Sequence, residues 1–126
     1  MELFERVMCV EDDPDIRMIL DFSLGRMGGY TLSLCESGPQ ALERVAEFRP
    51  QLVLLDVMMP EMSGPETLIQ LRALPVMQGV PIVFLTAKGY AEDEQFARKA
   101  GADAYLLKPF NAAQLEAAIA PLLKSQ

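Results

Sequence analysis

Five short apolar runs, separated by longer amphipathic stretches, constrain this chain more than any other feature. They are Val7-Met8-Cys9-Val10, Tyr30-Thr31-Leu32-Ser33-Leu34, Leu52-Val53-Leu54-Leu55, Pro81-Ile82-Val83-Phe84-Leu85 and Ala104-Tyr105-Leu106-Leu107. Uninterrupted apolar runs of this length fit strands buried on both faces, as in a parallel sheet covered by helices. The second run alternates apolar with polar residues, which suits an edge strand with one face less covered.

Helix signals fall between the runs. Asp13 followed by Pro14 reads as an N-cap with proline in the first helical position, opening a helix to about Met27. Ser37 with Gln40, Ser63 with Glu66 and Asn111 with Gln114 have capping-box spacing. After Asn111, Leu115, Ile119 and Leu122 fall on one helical face. Gly28-Gly29 and Gly101 stand where helices should stop, and Pro121 is expected to bend or end the last helix early. The pattern is (βα)5, an α/β doubly wound, five-stranded parallel sheet of flavodoxin-like architecture with right-handed crossovers. At 126 residues it reads as a single domain over 1–126.

Composition narrows the chemistry. A formal net charge of −7 argues against nucleic-acid binding, which needs a basic face. No stretch approaches the roughly 18 apolar residues of a membrane span, and no secretory signal is evident, so a cytoplasmic location is expected. The chain has no histidine, which removes His-based metal sites, Ser/His and Cys/His nucleophile pairs and a phosphohistidine of its own. Cys9 and Cys35 are isolated in apolar segments and read as buried reduced thiols.

In a doubly wound sheet, ligands collect at the carboxyl ends of the strands. The first strand here ends in Glu11-Asp12-Asp13, the third in Asp56 and the fourth in Thr86, while Lys108-Pro109 follows the fifth. Taken singly, each has an ordinary explanation: a turn or cap for an aspartate, a strand-end threonine, a solvated lysine. Together they bring carboxylates, a hydroxyl and an ammonium to one rim. Crowded carboxylates need a counter-charge, and hard oxygen ligands favour Mg²⁺. Lys108 and Thr86 suit the oxygens of a transferring phosphoryl group, and Asp56 is then a candidate nucleophile.

Four segments in order resemble the receiver domain of bacterial two-component response regulators across essentially the whole chain. They are Val10-Glu11-Asp12-Asp13-Pro14-Asp15-Ile16-Arg17, Leu55-Asp56-Val57-Met58-Met59-Pro60-Glu61-Met62-Ser63-Gly64, Leu85-Thr86-Ala87 and Gly101-Ala102-Asp103-Ala104-Tyr105-Leu106-Leu107-Lys108-Pro109-Phe110. The resemblance implies that Asp56 is the phosphoacceptor. It assigns Mg²⁺ to Asp12 directly, to Glu11 mainly through water, to Asp56 and to the backbone carbonyl of Met58. Asp13, one place beyond the acidic pair, is left as a helix cap. Thr86 and Lys108 would contact the phosphoryl group, Tyr105 would be the aromatic switch, and the Lys108–Pro109 bond would be cis.

The donor implied is a sensor histidine kinase, a histidine phosphotransfer protein or a small phosphodonor. Thr86 would then be drawn to the phosphoryl group and Tyr105 would turn inward, with the Ala87–Ala91 loop part of the same bistable element. That would change the face formed by the fourth helix, fifth strand and fifth helix, where a downstream protein or output domain would bind. Met58 and Lys88, two places beyond Asp56 and Thr86, would obstruct an attacking water and slow dephosphorylation. Ala104 and Ala118 stand where receivers of winged-helix regulators carry an acidic residue and an arginine that pair across a dimer face. Ala113, Ala117, Ala118 and Ala120 would admit another helix, and so a homodimer, or are simply good helix formers.

The resemblance implies a switch catalysing only its own phosphorylation and dephosphorylation, with no output domain in this chain. Two alternatives stand beside it. A phosphatase of the haloacid-dehalogenase type uses similar groups, but needs an Asp-x-Asp nucleophile pair after the first strand, which only Asp13-x-Asp15 offers. A pseudo-receiver would bind partners constitutively, but no site residue is missing. The sequence leaves open whether the chain is free-standing or one domain of a longer regulator or hybrid kinase.

Overall fold

The computed structural model describes residues 5–87 and 99–124, and all structural statements concern those residues. Strands β1 (Arg6–Val10), β2 (Thr31–Cys35), β3 (Leu52–Asp56), β4 (Ile82–Ala87) and β5 (Ala104–Lys108) form one parallel sheet. Their order, β2-β1-β3-β4-β5, makes β3 central and β2 an edge. All five residues of β3 are buried, whereas β2 is mostly half-buried, as its alternating sequence requires.

Period-two alternation divides the apolar residues between two faces. Met8, Val10, Val53, Leu55, Ile82 and Phe84 face helices α2 (Gly38–Phe48) and α3 (Gly64–Arg72), meeting Ala41, Val45, Leu68 and Leu71. Val7, Cys9, Leu52, Leu54, Val83 and Leu85 face the other way. There they pack on α1 (Pro14–Leu20) with its continuation and on the C-terminal helix (Ala112–Lys124). Each buried leucine of β3 contributes roughly 1.5–3 kcal/mol relative to leaving it exposed.

The caps act locally as the sequence predicts. Asp13 Oδ1 accepts from the Asp15 N–H at 2.9 Å. Ser63 with Glu66, and Asn111 with Gln114, form reciprocal boxes. Ser37 accepts from Gln40, but the Gln40 side chain turns to the Glu36 N–H instead of Ser37.

Two helices differ from expectation. The first reaches Met27, but from Asp21 onward it is a π-helix. A Cβ on Gly25 would lie 3.2 Å from Asp21 Oδ1 and 3.3 Å from Leu32 Cδ1, so the widened turns run close against β2. The last helix does not stop at Pro121 but continues to Lys124. Its buried stripe is Leu115, Ile119 and Leu123, with Leu122 at the margin, and Leu123 anchors the turn beyond the proline. No helix among the described residues is long and apolar enough to cross a membrane.

Candidate functional site

β1 and β3 are neighbours in the sheet although β2 lies between them in sequence, so their carboxyl ends bound the switch point of the fold. Glu11 and Asp12 leave the end of β1, and Asp56 is the last residue of β3. One ligand oxygen from each of these three carboxylates lies within 4.8 Å of the other two. Glu11 and Asp56 are buried, while Asp12 is exposed at the mouth.

Lys108, the last residue of β5, reaches across β4 into this cluster. Its Nζ is 3.1 Å from Asp56 Oδ1 and 2.9 Å from Glu11 Oε1. Glu11 Oε1 is fully buried and, although ion-paired with Lys108, receives no aligned hydrogen bond. One ammonium, paired with two of them, therefore serves a cluster of three carboxylates. Burial, the charge of Glu11 and a hydrogen bond with Asp12 push the Asp56 carboxyl up to about 7, against the opposing pull of Lys108. For Lys108, burial alone would lower the ammonium, but Glu11 and Asp56 outweigh it and the net shift is upward. The site is short of positive charge, and its donors are hard oxygens. That donor set, with a buried oxygen lacking an aligned donor, fits a small divalent cation.

The loop after Asp56 is tightly built. Val57 N–H donates to Leu85 O, extending the β3–β4 pairing past the aspartate. Met58 N–H donates to Asp56 Oδ1 at 3.3 Å, and Gly64 N–H closes back on Val57 O at 2.9 Å. A Cβ on Gly64 would fall on the backbone of Asp56 and Val57, so only glycine permits this return. Glu61, at the tip, holds φ 71°, a left-handed conformation unusual outside glycine. Asp13 and Asp15, the alternative nucleophile pair, are both exposed and engaged in the cap of α1. Asp13 N–H also donates to Glu11 Oε2 at 3.1 Å.

Thr86 is buried and follows Leu85, the residue paired with Asp56. It pairs with Leu107, while Phe84 pairs with Tyr105, so Thr86 and Tyr105 are diagonal neighbours on one sheet face. Tyr105 is half-buried against the core on that face. The Lys108–Pro109 bond is cis. Met58 has an exposed side chain. Lys88, residues 88–91 of the switch loop and most of the expected fourth helix lie outside the described residues. Cys9 and Cys35 are buried, and burial pushes both thiols up, in keeping with inert packing.

The sequence reading aimed Lys108 at a phosphoryl group and missed its pairing with Glu11. It also gave no role to Arg17, whose Nη1 donates to Glu11 O at 2.8 Å. A basic residue one turn into a helix that follows three acids was the available signal.

Residues 7–120 match the family model described as the response regulator receiver domain. The DNA-binding response regulator MtrA of Mycolicibacterium smegmatis is 41% identical over 120 residues, covering 95% of this chain and 51% of MtrA. A probable cyclic di-GMP phosphodiesterase of Vibrio cholerae is 39% identical over 120 residues, 95% of this chain and 25% of that protein. This chain thus spans a quarter to a half of the length of these two relatives. Among solved structures, the chemotaxis protein CheY4 of Vibrio cholerae superposes with TM-score 0.88 at 28% identity, covering 95% of this chain and 99% of CheY4. The receiver domain of the sensor histidine kinase PA1611 of Pseudomonas aeruginosa, which has magnesium in its active-site cleft, gives 0.87 at 29%, covering 97% and 99%. With its sheet order, its rim of acids and these matches, the chain belongs to the response regulator receiver domain family, whose members are phosphorylation-controlled signalling switches.

Proposed function

We propose that Asp56 accepts a phosphoryl group in a Mg²⁺-dependent reaction, and that the resulting charge resets the surface around β5. The observation carrying this is the convergence of Glu11, Asp12 and Asp56 on one 4.8 Å cluster with Lys108 reaching into it. Asp12, Asp56 and the Met58 carbonyl would hold the metal, with Glu11 mainly behind a water. When bound, Mg²⁺ neutralises charge on the carboxylates and on the phosphoryl oxygens.

The protein's own part is positioning. Asp56 sits at the end of the most buried strand, its oxygen steered by Met58 N–H and Lys108. An Asp56 oxygen attacks phosphorus in line, and the bond from phosphorus to the donor breaks with its electron pair leaving on the donor. Lys108 stabilises the oxygens in flight, and Thr86 donates its hydroxyl to the phosphorylated product. Drawing Thr86 toward the site frees space for its diagonal neighbour Tyr105 to turn inward, altering the surface near β5.

The chain turns over no separate substrate on this reading. Its donor is a sensor histidine kinase or histidine phosphotransfer protein, and its reader a downstream protein or an output domain. Incubation with a small phosphodonor and Mg²⁺ should add one phosphate by intact-mass spectrometry, and none after Asp56→Asn. An unmodified wild type, or equal labelling of the variant, would refute the assignment.

A further inference from the structure

The acidic loop between β1 and α1 has a fastener that the phosphoryl chemistry does not require. Residues 11–15 carry Glu11, Asp12, Asp13 and Asp15, four acids in five positions. Such a segment tends to spread, because like charges held together raise its energy. Glu11 nevertheless occupies one fixed place. Its N–H donates to Cys35 O at 3.0 Å, its Oε2 accepts from Asp13 N–H, and its Oε1 meets Lys108.

The remaining attachment is the Glu11 carbonyl, which accepts from Arg17 Nη1 at 2.8 Å. Arg17 N–H in turn donates to Asp13 O at 3.0 Å, the first bond of the helix. The arginine therefore grips the loop twice, by its backbone at Asp13 and by its guanidinium at Glu11. Asp12, the exposed acid of the cluster, lies between these two points and has no other described bond to the framework except through Asp56. Its orientation depends on the peptides either side of it.

We infer that Arg17 is a positioning residue for the metal site, setting Glu11 and Asp12 in the geometry that the cation needs. The inference rests on the proposed Mg²⁺-binding reading of this cluster. Partners that orient metal ligands from behind typically contribute 10–100-fold to affinity or activity, so Arg17→Ala is expected to weaken Mg²⁺ binding about tenfold. The sign separates positioning from electrostatics. Removing a nearby positive charge makes the cluster more attractive to a cation, so a purely electrostatic role predicts tighter binding in the variant.

The test is isothermal titration of Mg²⁺ into wild type, Arg17→Ala and Arg17→Lys, with urea unfolding in EDTA as a stability control. Phosphodonor labelling at saturating Mg²⁺ should keep a near-wild-type maximum in Arg17→Ala while its half-saturating Mg²⁺ rises about tenfold. Arg17→Lys, which retains a donor of similar reach, should recover binding to within about threefold of wild type, taking a single retained hydrogen bond as most of the effect. A wild type that does not bind Mg²⁺ would instead sink the metal reading itself. Normal wild-type binding with equal or tighter binding by Arg17→Ala would overturn the role of Arg17. If the alanine variant does not fold, Arg17→Gln, with a shorter neutral donor, decides: unchanged affinity overturns the inference and weakened affinity supports it.

Discussion

Replacing Asp56 with asparagine should make the metal-free protein more stable, even though it removes the proposed phosphoacceptor. The folded protein holds this carboxyl at about 7 against an ordinary value of 3.8, chiefly through burial and the charge of Glu11. Below both values the group is protonated in folded and unfolded chains and contributes nothing. Between them the unfolded chain ionises first, so folding loses stability as pH rises, and above about 7 the penalty is complete. Holding the carboxyl at about 7 rather than 3.8 corresponds to roughly 4 kcal/mol at most.

Asparagine keeps an oxygen for Met58 N–H and turns an amide toward the remaining acids, while Lys108 keeps Glu11 at 2.9 Å. The expected gain at pH 8 in EDTA is therefore about 2–4 kcal/mol, or about 1–2 M in urea midpoint for a slope near 2 kcal/mol/M. At pH 5 the gain should shrink by about half or more, because the wild-type carboxyl is then protonated in the folded state. Saturating Mg²⁺ at pH 8 should close the gap from the other side. A ligand at a hundredfold over its dissociation constant stabilises by about 2.7 kcal/mol, and the proposed ligand role of Asp56 has the wild type binding it better. An Asp56→Asn protein no more stable than wild type at pH 8 in EDTA, or with the same gap at pH 5, would refute the reasoning.

Three further outcomes follow from the same geometry. Lys108→Ala leaves Glu11 and Asp56 facing each other without their ammonium, so unfolding in EDTA should come about 3 kcal/mol earlier, with most of the loss restored by Mg²⁺. Gly64→Ala drives a methyl into the Asp56–Val57 backbone, and should cost about 1–3 kcal/mol in urea unfolding while slowing phosphodonor labelling at temperatures where the chain stays folded. Glu61→Gly relieves the left-handed residue at the loop tip, and should raise stability by about 0.5–1 kcal/mol with labelling unchanged.

The sheet was legible because each strand announces itself in apolar residues, and because burial on two faces leaves little choice of partner. The site was legible for a related reason. Once the strands are parallel, their carboxyl ends lie together, and residues as distant as Glu11, Asp56 and Lys108 must share a rim. What stayed hidden depends on contacts that no periodicity encodes. The π-helix from Asp21 runs with Gly25 close against Leu32, and the last helix passes Pro121 with Leu123 buried beyond it. The double pairing of Lys108 is hidden in the same way. Spacing can bring an ammonium to the rim, but only the depth of Glu11 shows that this lysine is already shared between two carboxylates before any phosphoryl group arrives. That prior engagement has a consequence for the switch. On the proposed reading, a phosphoryl group on Asp56 would compete with Glu11 for Lys108, and the three acids, with a bound cation as their counter-charge, would leave the lysine freer to meet it.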